Sequence, residues 1–137
     1  PQTTDPMMSV FYDEEAKRVG NPPGLTIGPS QGAPTTVFLS ESLDQGWEQY
    51  GPYMLHDAVS YRGWMGKDNN SASLSQASSV AELREEDGPY KIVTPKQAIE
   101  LINAYQTLSL QPLCGGVPPD LAWSSLSLIE KKVLPFC

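Results

Sequence analysis

Cys114 stands in the run P-L-C-G-G-V-P-P, residues 112–119, where a thiol, two glycines and two prolines meet. A thiol becomes a nucleophile when a base or a helix N-terminus stabilises its thiolate. Cys114 lies just before a helix, but His56, the only histidine, has no local spacing that would pair it with Cys114. Cysteine catalysis is therefore disfavoured. Gly115 and Gly116 allow backbone N–H groups to approach a ligand without an intervening Cβ. They serve either the turn alone or the turn plus such a contact. His56 and Asp57 form a second polar pair, with Tyr61 a turn further on. His56 and Tyr61 could face a substrate. The simpler reading of His56 is a helix residue with a satisfied hydrogen bond. Trp47, Tyr53, Tyr61 and Trp64 fall at helical spacing, which suits packing better than a stacking platform. Glu82, Glu85, Glu86 and Asp87 read as a solvated charge cluster.

Other chemistries lack their residues. One histidine and two distant cysteines make no zinc site. Phosphate-cradling, dinucleotide and nucleophile-elbow motifs are absent from the sequence. The only arginines, Arg18, Arg62 and Arg84, are scattered and suggest no phosphate clamp. The net charge of −7, from nine basic and sixteen acidic side chains, argues against nucleic acid and against a polybasic membrane contact. No apolar run approaches the ~20 residues that span a bilayer, and no signal-peptide pattern is legible. Cys114 and Cys137 are expected to be free thiols in a reducing cytoplasm, with a bridge between them as the alternative.

At 137 residues the chain suits one domain. Asp5-Pro6 reads as the start of a helix over 7–19 with Met8, Phe11, Tyr12 and Ala16 on its apolar side. A turn at 21–24, a short extended piece at 25–27 and a loop over 28–34 follow. The β-branched run 35–40 is the best strand. Ser42 with Gln45 makes a capping box for a helix whose apolar side is Trp47, Tyr50, Met54, Ala58, Tyr61 and Met65. Gly51-Pro52 predicts a kink or two abutting helices. The polar, serine-rich stretch 66–79 reads as a mobile loop or lid. A short helix over 80–86 and an extended piece over 90–93 come next. Thr94 and Gln97 form a second capping box for a helix through Ala98, Ile99, Ile102 and Tyr105. Leu108 to Gln111 alternates like a strand. Pro118-Pro119 then starts a helix with Ala122, Leu126, Ile129 and Val133 on one face, stopped by Pro135. Strands alternating with helices predict an α/β fold with a parallel sheet.

The end of the chain, P-L-C-G-G-x-P-P-x-L-A-W at 112–123 and K-V-L-P at 132–135, closely resembles the end of the luciferase-like (bacterial luciferase family) flavin-dependent monooxygenases. Further matches follow the family's order upstream: G-A-P-T-T-V-F at 32–38, G-P-Y-M-L-H-D-A at 51–58, Tyr61, Trp64, and P-Y-K-I-V-T-P at 89–95. The family fold is a (β/α)8 TIM barrel. At typically ~250 residues such a barrel is longer than this chain, so the resemblance implies that residues 1–137 are its C-terminal segment, incomplete and inactive on its own. It implies a cofactor, FMN or a deazaflavin, bound mostly by the rest of the barrel, and oxidation of a small organic substrate with dioxygen. Barrel sites lie at the C-terminal ends of the strands. That places Ser40 beside the cofactor, together with Cys114, Gly115 and Gly116, and makes Cys114 a barrel-end residue. The implied partners are the rest of the barrel or a second copy in a homo-oligomer. The alternative is a non-catalytic partial-barrel module that binds a flavin or another ligand and self-associates, because uncovered strand edges and apolar faces seek a companion.

Overall fold

The computed structural model describes residues 7–22, 30, 32–66 and 71–137. The expected start at Asp5-Pro6 and the extended piece over 25–27 lie outside the described residues, as do most of the loop over 28–34 and part of the turn at 21–24. The fold is mixed α/β, mostly helical, around a small two-stranded parallel sheet. Helix α1, Met7–Arg18, comes first. Strand β1, Thr36–Leu39, is fully buried, as its β-branched and aromatic composition favours. Helix α2, Leu43–Met65, and the short α3, Val80–Glu85, lead to β2, Tyr90–Val93. The two strands pair in parallel from Thr36↔Tyr90 to Leu39↔Val93. Helix α4, Pro95–Tyr105, follows, then a tight 3₁₀ turn at Cys114–Gly116 and α5, Pro119–Lys132.

Alternation along the strands divides the core between the two sheet faces. Phe38, Tyr90 and Ile92 pack with Trp47, Tyr50, Met54 and Ala58 of α2. Val37, Leu39 and Val93 pack with Ala98 of α4 and with Ile129 and Val133 at the end of the chain. Phe38 and Tyr50 stack with ring centroids 4.5 Å apart, a contact worth about 0.5–1.5 kcal/mol beyond area burial. Gly46 permits this close layer: a Cβ there would lie 2.6 Å from Ile92 Cγ2.

Several expectations are corrected. Pro52 does not divide α2, which runs on through it from Leu43 to Met65. Pro52 itself is exposed, whereas Tyr50, Met54 and Ala58 around it are buried, so core packing holds the helix past the missing N–H. Residues 108–111 form no strand; the segment lies along the outer edge of β1, joined by one backbone bond from Val37 N to Ser109 O at 3.1 Å. Gln111 reaches Thr35 O, two residues back on β1, so the segment runs antiparallel to that strand. The next outward N–H, of Leu39, donates to Ser125 Oγ of α5 at 2.8 Å. Side chains thus take over the edge that a strand would cover.

Residues 71–79 of the serine-rich stretch are tied to the body of the fold by hydrogen bonds. Ser73 Oγ donates to Thr35 Oγ1, Ser75 Oγ donates to Glu86, and Arg62 donates to the carbonyls of Ser75 and Ala77. Glu86 is accordingly a loop anchor, not merely a solvated charge. Trp64, expected to pack, is 81% exposed. None of α1 is buried, so its apolar residues cover nothing in the core. Both cysteines are free thiols. No helix among the described residues is long and apolar enough to cross a membrane.

Candidate functional site

Helix α2 sets the site by its phase. Tyr50, Met54 and Ala58 point into the core, and Asp57, one position from Ala58, comes to the edge of that face, half-buried. His56, about 100° further round the helix, is exposed. Adjacent residues of one helix do not face each other, so the expected pair is split. Asp57 takes its partners from elsewhere in the chain. Tyr90, the first residue of β2, donates its hydroxyl to Asp57 Oδ2 at 2.8 Å. The Cys114 thiol lies close enough to Asp57 to feel its charge.

The Cys114–Gly116 turn is seated against α2. Gly115 holds φ +60°, and a Cβ on it would lie 1.9 Å from the carbonyl oxygen of Tyr53. Only glycine fits there, on both counts. Gly116 also has positive φ, but nothing lies within 4 Å of its Cβ direction. The turn therefore reads Gly115 as a packing requirement and Gly116 as a purely conformational one.

Beside this contact lies a shallow bowl of about 420 Å³, lined by Asp57, Gln111, Pro112, Leu113, Cys114 and Gly115. Gln111 Nε2 donates to Thr35 O at 3.2 Å, which leaves its Oε1 as an acceptor. Burial pushes the Cys114 thiol up to about 12, and the charge of Asp57 adds to it. Burial likewise raises the Tyr90 phenol, with Asp57 second. Both groups stay protonated near neutral pH, and the Tyr90 hydroxyl donates to the carboxylate. A thiol held this way is not an activated nucleophile.

The remaining expected site residues are dispersed. Ser40 follows the C-terminal end of β1, where its N–H donates to Val93 O and its hydroxyl to Ser42 O. Cys114 lies with Tyr90 at the opposite, N-terminal end of the parallel pair, roughly 10 Å away along the strands. The structure therefore does not bring Ser40 together with Cys114, Gly115 and Gly116. Tyr61 is half-buried, and its hydroxyl accepts from Ser71 Oγ at 3.1 Å. Gln111, which lines the bowl, and Tyr90, whose hydroxyl reaches Asp57, are not singled out as site residues by the sequence. The one usable signal was Tyr90 itself, since a tyrosine in a buried strand needs a polar partner for its hydroxyl.

The arginines among the described residues form no clamp for a flavin phosphate. Arg18 pairs with Glu15, Arg84 with Asp44, and Arg62 is spent on two loop carbonyls. The Asp57 carboxylate beside Cys114 and Gly115 repels an anion. A second concavity, of about 520 Å³, runs between α2 and α4 along β2. Its charged residues are already paired, Arg84 with Asp44, Lys91 with Asp87, and Glu100 with Lys96. Asp57 has no ion-pair partner among the described residues. No group of three metal-ligating side chains occurs among them either. No family model, no curated protein and no solved structure matches the chain.

Proposed function

We propose that the chain is the C-terminal portion of a luciferase-like flavin-dependent monooxygenase or oxidoreductase, which uses reduced flavin and dioxygen on an organic substrate. One observation supports the reading: the sequence motifs fall on the strands, helices and turn of a parallel βα arrangement. The T-T-V-F motif ends in β1, and G-P-Y-M-L-H-D-A lies within α2. The P-Y-K-I-V-T-P motif spans β2 and the start of α4, and P-L-C-G-G enters the turn before α5. Parallel strands joined through helices are the repeating unit of parallel barrels. Because the arginines among the described residues form no phosphate clamp, the proposed share of this segment is wall and scaffold; the flavin would be FMN or a deazaflavin held mainly by the rest of the barrel.

Quenching of FMN fluorescence tests this. The 137-residue chain is expected to leave FMN fluorescence unchanged, and a longer protein ending in this chain to quench it stoichiometrically. Absence of flavin binding by the longer protein would overturn the reading.

A second reading, a non-catalytic module that self-associates, draws on the exposed apolar side chains of α1, among them Phe11 at 56% and Tyr12 at 55%. Sedimentation separates the two: a stable oligomer of the 15.0 kDa chain favours the module.

A further inference from the structure

The geometry points to a binding site for an ammonium group carrying a hydrocarbon, an alkyl- or aryl-ammonium ion, in the bowl of Asp57, Gln111 and Cys114. This site is independent of the flavin reading and lies at the end of the sheet away from Ser40.

The polar atoms facing the bowl decide the class of ligand. A carboxylate offers about four lone-pair positions, and the hydrogen-bond donor to Asp57 among the described residues is the neutral Tyr90 hydroxyl, with the neutral Cys114 thiol nearby. Gln111 spends an N–H on Thr35 O and keeps its carbonyl oxygen as an acceptor. Asp57 and the Gln111 carbonyl oxygen can therefore accept hydrogen bonds from a ligand here. These neutral neighbours leave the charge of Asp57 without a counter-ion, because none of the ion pairs among the described residues includes it. A half-buried, uncompensated carboxylate favours a cation, since burial weakens the screening that water supplies at the surface.

The rest of the bowl specifies what the cation carries. Pro112 and Leu113 form an apolar rim, and Leu113 is 61% exposed with no polar group to account for it. A volume of about 420 Å³ falls in the ordinary range of small-molecule pockets, about 300–1,000 Å³. The floor is rigid. Gly115 is locked against the Tyr53 carbonyl, and Cys114 N and Gly116 N are bonded to Gln111 O and Leu113 O. Little order is then lost on binding. The ammonium would sit against Asp57 and Gln111 with its hydrocarbon on Pro112 and Leu113. The concavity between α2 and α4 lacks this uncompensated charge, and the bare side of α1 shows nothing that would cover it.

The test is a ¹H–¹⁵N NMR titration of the 137-residue chain with 2-phenylethylammonium chloride, using 3-phenylpropionate as the anion of matched skeleton. Saturable shifts are expected at the amides of Gln111, Gly115 and Gly116 with the cation and none with the anion. Asp57→Asn should weaken binding at least tenfold. Tyr90→Phe removes a neutral donor and keeps the charge, so it should bind as well as the parent or more tightly, which a merely structural role for the network would not produce. No saturable shift, equal response to the anion, unaltered binding in Asp57→Asn, or a tenfold loss in Tyr90→Phe would each overturn the site. Should Asp57→Asn fail to fold, the Tyr90→Phe result and the cation–anion comparison decide the question.

Discussion

Gly115 is where two elements approach most closely, and its replacement separates two costs that are usually mixed. Gly115→Ala meets both a positive φ and the Tyr53 carbonyl, whereas Gly116→Ala meets only a positive φ. The left-handed conformation alone costs about 1–2 kcal/mol for a residue with a Cβ. Urea unfolding should therefore show Gly116→Ala destabilised by roughly that amount and Gly115→Ala by clearly more, about 3 kcal/mol or above. Equal losses would contradict the docking of the turn on α2. Cys114 gives a second residue-scale prediction. Its thiol rises from 9.0 to about 12 on folding, so the folded state holds this proton more tightly than the unfolded one. That contribution is complete below about pH 9 and is lost as pH rises through 12. Tyr90 acts in the same direction at higher pH. Cys114→Ala should flatten the fall of the urea midpoint between pH 9 and 12. A thiol reagent at pH 8 should modify exposed Cys137 rapidly and buried Cys114 only on unfolding.

At the scale of elements, what was legible in the sequence was what local chemistry determines. Thr94 and Gln97 do form a reciprocal capping box, with both bonds present. Ser42 caps α2 through Gln45 N. The β-branched run became β1, and Pro119 and Lys132 bound α5. The misses arise where partners distant in sequence outvote local pattern. Leu108 and Leu110 alternate as a strand would, yet the edge they approach is shared with Gln111 and Ser125, so no ladder forms. Ser125 could not be recognised as important because it is a polar residue on the otherwise apolar core side of α5, 3% exposed, where only tertiary contact explains it. Asp57 was visible beside His56, but its partners lie 33 and 57 residues further on, beyond any spacing rule. Ser125→Ala leaves the Leu39 N–H buried without an acceptor and should cost about 1–3 kcal/mol in urea unfolding. A loss below about 0.5 kcal/mol would mean that the edge of β1 finds another cover.

The whole molecule combines a well-packed parallel βα core with apolar side chains that the core does not use. Val37, Phe38, Leu39 and Met54 are almost wholly buried, while Phe11, Tyr12, Trp64, Trp123 and Phe136 each leave more than half of their surface exposed. Such a surface suits a segment that adjoins further structure, in agreement with the proposal that the flavin site is built mainly from other residues. The distribution of charge agrees too, since the three arginines are committed to Glu15, Asp44 and two loop carbonyls and none is left to meet a phosphate. The most direct measurement is oxygen uptake with enzymatically reduced FMN, compared between the 137-residue chain and a longer protein that ends in it. The account predicts oxidation of an organic substrate coupled to oxygen uptake by the longer protein, and with the chain alone only the oxygen uptake of free reduced FMN, with no substrate oxidised. Coupled turnover by the 137-residue chain, or an inactive and flavin-free longer protein, would contradict it.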